Sequence, residues 1–185
     1  MNIKPIPMFE NFLADLEAKE LNERKYEFGC AMLYFDFPEI AKVQDIIEKS
    51  DIHPNGLEDE PHITLLYGIH SDEVSDDDVM DVSTSTPIES IKLSNLSLFK
   101  NEEFDVLKFD AEAPELAKIN KKLSEFPNTN NFPDYHPHCT VAYLKPGEGK
   151  KYLDKFNGIT HDVFPTKVVY SKPNGEKVTK ILKSE

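Results

Sequence analysis

Pro61-His62-Ile63-Thr64-Leu65-Leu66-Tyr67 and Pro137-His138-Cys139-Thr140-Val141-Ala142-Tyr143 are one phrase written twice. Pro, His, Thr and Tyr recur at the same offsets, with apolar or small residues between them. After its proline each run reads as a strand: short, apolar and bounded by turn formers. Successive side chains of a strand point to opposite faces, so residues two apart share one. His62 and Thr64 therefore project together, as do His138 and Thr140, while Tyr67, Tyr143 and Cys139 are expected on the apolar side. Two such strands build a cleft with near two-fold local symmetry. One imidazole can take a proton while the other gives one, and the two hydroxyls can hold an anionic oxygen between them. That is a kit for acid–base chemistry on a phosphodiester.

The pair His62-Ile63-Thr64 and His138-Cys139-Thr140 resembles the 2H phosphoesterases, a family named for two His-x-Thr/Ser motifs. Thr64 and His138 stand 74 positions apart, which suits two pseudo-equivalent halves. The resemblance covers residues 28–183. It implies an α+β, bilobal fold: two pseudo-symmetric antiparallel-sheet lobes with flanking helices and a central cleft carrying both motifs. It also implies phosphodiester cleavage without metal or cofactor. His62 and His138 would be general acid and base, in an order the sequence leaves open, and Thr64 and Thr140 would bind the non-bridging oxygens. The extended forms, His62 to Gly68 and His138 to Lys145, look most like the phage branch that degrades cyclic oligonucleotide messengers of bacterial CBASS immunity. The substrate then expected is a small cyclic oligonucleotide cut at 3′–5′ bonds. A 2′,3′-cyclic phosphodiesterase, an RNA end-processing enzyme and a 2′,5′-oligoadenylate phosphodiesterase are the alternatives within the class. A nucleotide sponge that binds without turnover is the alternative outside it, and two intact histidines argue against it.

Charge narrows the partner. Thirty-four acidic residues against 21 basic ones leave −13, so a long polyanion should be repelled, and a small nucleotide suits the chain better than duplex DNA or folded RNA. A hydrophobic content of 39% with 12 Phe and 7 Tyr supports a folded core. The two cysteines, Cys30 and Cys139, lie in apolar strand contexts with no disulfide framework. No apolar run is long enough to span a membrane and no signal peptide is evident, so a cytoplasmic protein is expected. Nothing here speaks to the oligomeric state.

Along the chain, residues 1–27 read as an N-terminal helical extension, with Phe9, Phe12, Leu13 and Leu16 as an apolar stripe, and 28–185 as a single domain. Phe28 to Phe37 is apolar enough for a buried central strand, and a helix is expected over Pro38 to Lys49. His53-Pro54-Asn55-Gly56 reads as a turn, and the acidic run Ser71 to Asp81 as a solvated loop or helix start. Ile91 to Phe99 is a strand whose alternation slips near Asn95, suggesting a bulge, with Phe104 to Ala111 its neighbour. Pro114 to Phe126 reads as a helix. A short helix ends near Phe156, and Val163 to Tyr170 with Lys177 to Leu182 forms a hairpin around Pro173-Asn174-Gly175. The polar loop Pro127 to Pro137 delivers Phe132 and Tyr135 as candidates to stack on a base, and Lys145 is a candidate for charge near the phosphate. A zinc site built from His136, His138 and His62 is the competing chemistry. It lacks a fourth ligand, and Cys139 should face away from His138.

Overall fold

The computed structural model describes residues 28–130, 134–156, 158 and 160–182. The expected N-terminal helical extension, residues 1–27, lies outside them. In chain order the strands are β1 (Gly29–Phe35), β2 (Ile52–Leu57), β3 (His62–Ile69), β4 (Ile91–Lys100), β5 (Asp105–Glu112), β6 (His138–Leu144), β7 (His161–Val163), β8 (Pro165–Ser171) and β9 (Lys177–Ile181). The α-helices are α1 (Ile40–Gln44), α2 (Asp76–Thr84), α3 (Pro114–Leu123) and α4 (Lys150–Leu153).

All seven residues of β1 are buried, which requires a central strand covered on both faces. It lies between β3 and β8 in a sheet ordered β3-β1-β8-β9. The other sheet is ordered β2-β6-β5-β4-β7, and every pairing in both is antiparallel. One motif strand therefore belongs to each sheet. Helices α2 and α3 pack on β8 and β3 of the first sheet, while α1 and α4 pack on β6 and β4 of the second. Leu33 and Ile63 of one sheet, Leu107 and Phe109 of the other, and Leu116 and Ile119 of α3 join a single apolar core. Each such side chain contributes about 1.5–3 kcal/mol on burial.

Local chemistry accounts for most elements. Ser75 caps α2 by accepting the Asp78 N–H at 3.1 Å, and Asp76, Asp77 and Asp78 fill its first turn, where the helix end is positive. The acidic run is thus a helix start. Asn95 takes a positive φ of 49° at a bulge between Ser94 and Leu96, a conformation that asparagine tolerates better than most residues.

Three expectations need correction. The helix expected over Pro38 to Lys49 stops at Gln44, and a 3₁₀ turn follows at Lys49–Asp51. The Tyr152 hydroxyl takes the Glu48 N–H at 3.0 Å, a donor that a continuing helix would have used internally. His53 to Gly56 is not a free turn but part of edge strand β2. Only its ends, Ile52 and Leu57, are in register with β6, so Pro54 and a Gly56 at φ 83° do not break a ladder. The strand expected over Val163 to Tyr170 is split. Val163 ends β7 opposite Ile91, and the chain then crosses at the exposed Phe164 to begin β8 in the other sheet.

Candidate active site

Strands β3 and β6 lie against each other across the two sheets. The His62 backbone N–H is directed at the Cys139 sulfur, and the Tyr135 hydroxyl donates to the Thr64 carbonyl at 2.9 Å. Motif is thereby held beside motif.

The pairing register sets which side chains share the motif face. His62 stands opposite Tyr34 and Thr64 opposite Met32, but Leu66 then pairs with Ala31 and Tyr67 with Cys30. One extra residue on β3 has shifted the parity. Tyr67 consequently packs with Cys30, Met32, Tyr34 and Val169 on the His62 face, not on the apolar side where unbroken alternation would put it. The second motif repeats the device. Thr140 stands opposite Lys108 and Ala142 opposite Leu107, which brings Tyr143 opposite Val106. Tyr143 is fully buried on that face, with its ring 5.6 Å from Phe104. The doubled apolar pairs Leu65-Leu66 and Val141-Ala142, buried at both positions, are the trace these bulges leave in the sequence.

The two imidazoles are anchored alike. His62 Nδ1 lies 2.8 Å from the Glu60 carbonyl, and His138 Nδ1 lies 2.8 Å from the His136 carbonyl. A carbonyl only accepts, so each Nδ1 carries its proton and the exchangeable position is Nε2. In both halves the anchor is the carbonyl two residues upstream. Each histidine also meets an aromatic ring with a lysine over it. Tyr34 is 5.2 Å from His62 with Lys167 Nζ 4.7 Å from its centroid; Phe99 is 4.9 Å from His138 with Lys108 Nζ at 4.2 Å. Thr140 is buried, and the half-buried Thr64 hydroxyl is hydrogen-bonded with the Cys30 thiol. Burial pushes that thiol up to about 12, so it stays protonated.

Charge breaks the symmetry. Glu58 Oε2 lies 3.8 Å from His62 Nδ1, and burial pushes the Glu58 carboxyl up while the neighbouring His62 pulls it back only in part. On the other side, removal from water pushes His138 down to about 4, helped by Lys108 and opposed by its carbonyl anchor and Asp110. His138 is therefore a neutral imidazole at neutral pH.

The remaining expected residues divide. Tyr135 stands between the lobes, its ring packed on the core and its hydroxyl spent on Thr64. Burial pushes its phenol well above the usual range. Phe132 lies outside the described residues. Lys145 is exposed past the far end of β6, where its N–H bonds the Asp51 carbonyl at 2.7 Å. Five residues of strand put it about 16 Å beyond Thr140, off the site. His136 is exposed and contributes its backbone carbonyl. Among the described residues, no three His, Cys, Asp or Glu side chains converge to hold a metal ion. Sequence reasoning missed Glu58, Lys108, Tyr34 and Phe99. They reach the histidines through strand register, and no local motif marks them.

Two antiparallel sheets, each offering a His-x-Thr strand to a shared cleft, define a two-histidine phosphoesterase fold. Residues 36–178 match the model of the 2′-5′ RNA ligase superfamily, and the chain belongs to that superfamily, a class of phosphodiesterases. Among solved structures, Usb1 of Kluyveromyces marxianus with uridine monophosphate is similar over 84% of this chain and 98% of its own, at 10% identity and a TM-score of 0.52. LigT of E. coli complexed with phosphate is similar over 85% of this chain and 96% of its own, at 13% identity and a TM-score of 0.42. No curated protein matches the chain.

Proposed function

We propose that this phosphodiesterase opens 3′–5′ bonds of small cyclic oligonucleotides without a metal, as a counter-defence nuclease of the phage branch its motifs resemble. The observation that carries the chemistry is the twin anchoring of His62 and His138, each with Nδ1 on the carbonyl two residues upstream in its own half. The substrate class is supported by the extended motifs and by a net charge of −13, which disfavours long polyanions.

The step proposed is internal transesterification. His138 accepts the proton of the ribose 2′-OH as that oxygen attacks phosphorus. The bond from phosphorus to the 5′ oxygen breaks, and His62 gives its Nε2 proton to the departing oxygen. The products are a 2′,3′-cyclic phosphate and a 5′-hydroxyl, and the two histidines exchange protons with solvent to reset. Thr64 and Thr140 donate to the non-bridging oxygens and hold the phosphate in line.

Incubation with cyclic dinucleotides, cyclic trinucleotides, 2′,3′-cyclic mononucleotides and 2′,5′-oligoadenylates, read by mass spectrometry, tests the proposal. Ring opening in excess EDTA is expected. Cleavage confined to 2′,3′-cyclic mononucleotides or 2′,5′ bonds would replace the substrate class, and tight binding with every ring intact would make the protein a sponge. Loss of activity on chelation, restored by zinc, would revive the metal reading of His136 and His138.

A further inference from the structure

A buried carboxyl and a buried ammonium stand beside the two histidines. Glu58, 3% exposed, precedes β3 and holds Oε1 on the Glu60 N–H at 3.0 Å while Oε2 faces His62. Lys108, 5% exposed, stands opposite Thr140, and Asp110 on the same face of β5 stands opposite His138. The Lys108 ammonium donates to Ser97 Oγ at 2.8 Å and to Asp110 Oδ1 at 2.6 Å. Burying a charge costs several kcal/mol unless it is well paired.

We propose that Glu58 and Lys108 are positioning residues of opposite sign, which make His62 the proton donor and His138 the proton acceptor of the reaction. The inference rests on the phosphodiesterase reading above and deepens it. The geometry is unequal where the rest of the site is paired. Lys167 occupies the place on the first lobe that Lys108 occupies on the second, yet a third of its side chain is exposed and it shares the Glu60 carboxylate at 3.8 Å. Its charge is more exposed to screening by water than that of Lys108. His62 is faced by Glu58 from its own approach, by Tyr34 of β1 with Lys167 of β8 above it, and by Cys139 and His138 of β6. His138 is faced by Lys108 and Asp110 of β5, Phe99 of β4 and His62 of β3. On the first side the nearest buried titratable group is a carboxyl, 3.8 Å from His62 Nδ1, and the histidine offsets part of its burial cost. On the second, the carboxylate of Asp110 is already engaged by Lys108 and Ser97, and the ammonium disfavours a proton on His138.

A leaving group that needs no proton separates the two roles. A cyclic dinucleotide releases a 5′ alkoxide, whereas adenosine 3′-(4-nitrophenyl phosphate) releases a stable phenolate. Against the cyclic substrate, His62→Ala and His138→Ala should each lose about 10²–10⁴-fold. Against the nitrophenyl ester, His62→Ala should come back to within about 10-fold of wild type and His138→Ala should not. Glu58→Gln should follow His62→Ala in milder form and move the alkaline limb of the kcat/KM profile down by about one pH unit. Lys108→Met should move the acid limb up, and Lys108→Arg should restore it; Lys108→Gln keeps polar contacts to Ser97 and Asp110 should the Met variant misfold. Rescue of His138→Ala in place of His62→Ala would reverse the assignment. Limbs unmoved in Glu58→Gln and in the uncharged Lys108 variants would strike out both residues as positioning groups. Full activity of both histidine variants on both substrates would overturn the phosphodiesterase reading itself, and this inference with it.

Discussion

A histidine held neutral inside a fold leaves its mark on stability as well as on rate. Burial pushes His138 down to about 4 in the folded protein, whereas an unfolded histidine titrates near 6.5. Between those values the unfolded chain binds more protons, so stability rises with pH across the window and is lost as pH falls through it. The melting temperature should therefore drop from pH 7 to pH 4, and His138→Gln should flatten that drop; an unchanged slope would place the sensitivity elsewhere. With His138 as the proposed base, the acid limb of kcat/KM should lie below that of an ordinary imidazole. His62→Ala and His138→Ala should abolish most turnover while leaving binding and the far-UV spectrum close to wild type, because acid–base groups act in the transition state. Thr64→Ala and Thr140→Ala should cost less, each removing one donor to the phosphate.

Among the elements, the loop from α3 to β6 does more than deliver residues. Thr129 N–H bonds the Gly68 carbonyl at 2.8 Å, His70 N–H bonds the Pro127 carbonyl at 3.0 Å, and Tyr135 reaches Thr64, so the loop is sewn along β3. Gly68 sits at φ 101°, and a Cβ there would lie 2.3 Å from the Thr129 carbonyl oxygen. Gly68→Ala should destabilise the protein by about 1–3 kcal/mol and lower kcat, read by denaturant unfolding beside kinetics. Tyr135→Phe keeps the ring and loses the bond to Thr64. A fall in kcat with KM unchanged would identify a tie between motifs, whereas loss of affinity only in Tyr135→Ala would identify a stacking platform. These elements also mark where the sequence is legible. The continuous apolar run of β1, the helix start within the acidic run and the slip at Asn95 are local, and they read correctly. The doubled Leu65-Leu66 and Val141-Ala142 carried the parity shifts, yet alternation read without them put Tyr67 on the wrong side. Gly68 against Thr129, Glu58 against His62 and Lys108 beside His138 are contacts made by folding, and no spacing in the chain announces them.

The whole molecule brings two equivalent strands from two sheets side by side, and in the proposed reaction that symmetry bears on the nucleophile. In that reaction two imidazoles and two hydroxyls account for both proton transfers and for the charge on the non-bridging oxygens, and an internal nucleophile needs no further group to position it. A ribose 2′-OH next to the scissile 3′–5′ bond is already held by the substrate, and such positioning supplies several kcal/mol, up to about 7–11 in the best intramolecular cases. The net charge of −13 works in the same direction. On the proposed reading it disfavours long nucleic acid, so orientation would come from within a small ligand and not from an extended backbone contact. A cyclic substrate with 2′-deoxy or 2′-O-methyl at the attacking ribose should bind comparably and resist cleavage. The first product from the natural ring should weigh the same as the ring itself, with a 2′,3′-cyclic phosphate in place of an added water. Mass spectrometry at early times reads that product directly, and isothermal titration reads the binding of the blocked ring. Efficient cleavage of the fully deoxy ring would make water the nucleophile, and His138 would then be the base that activates it.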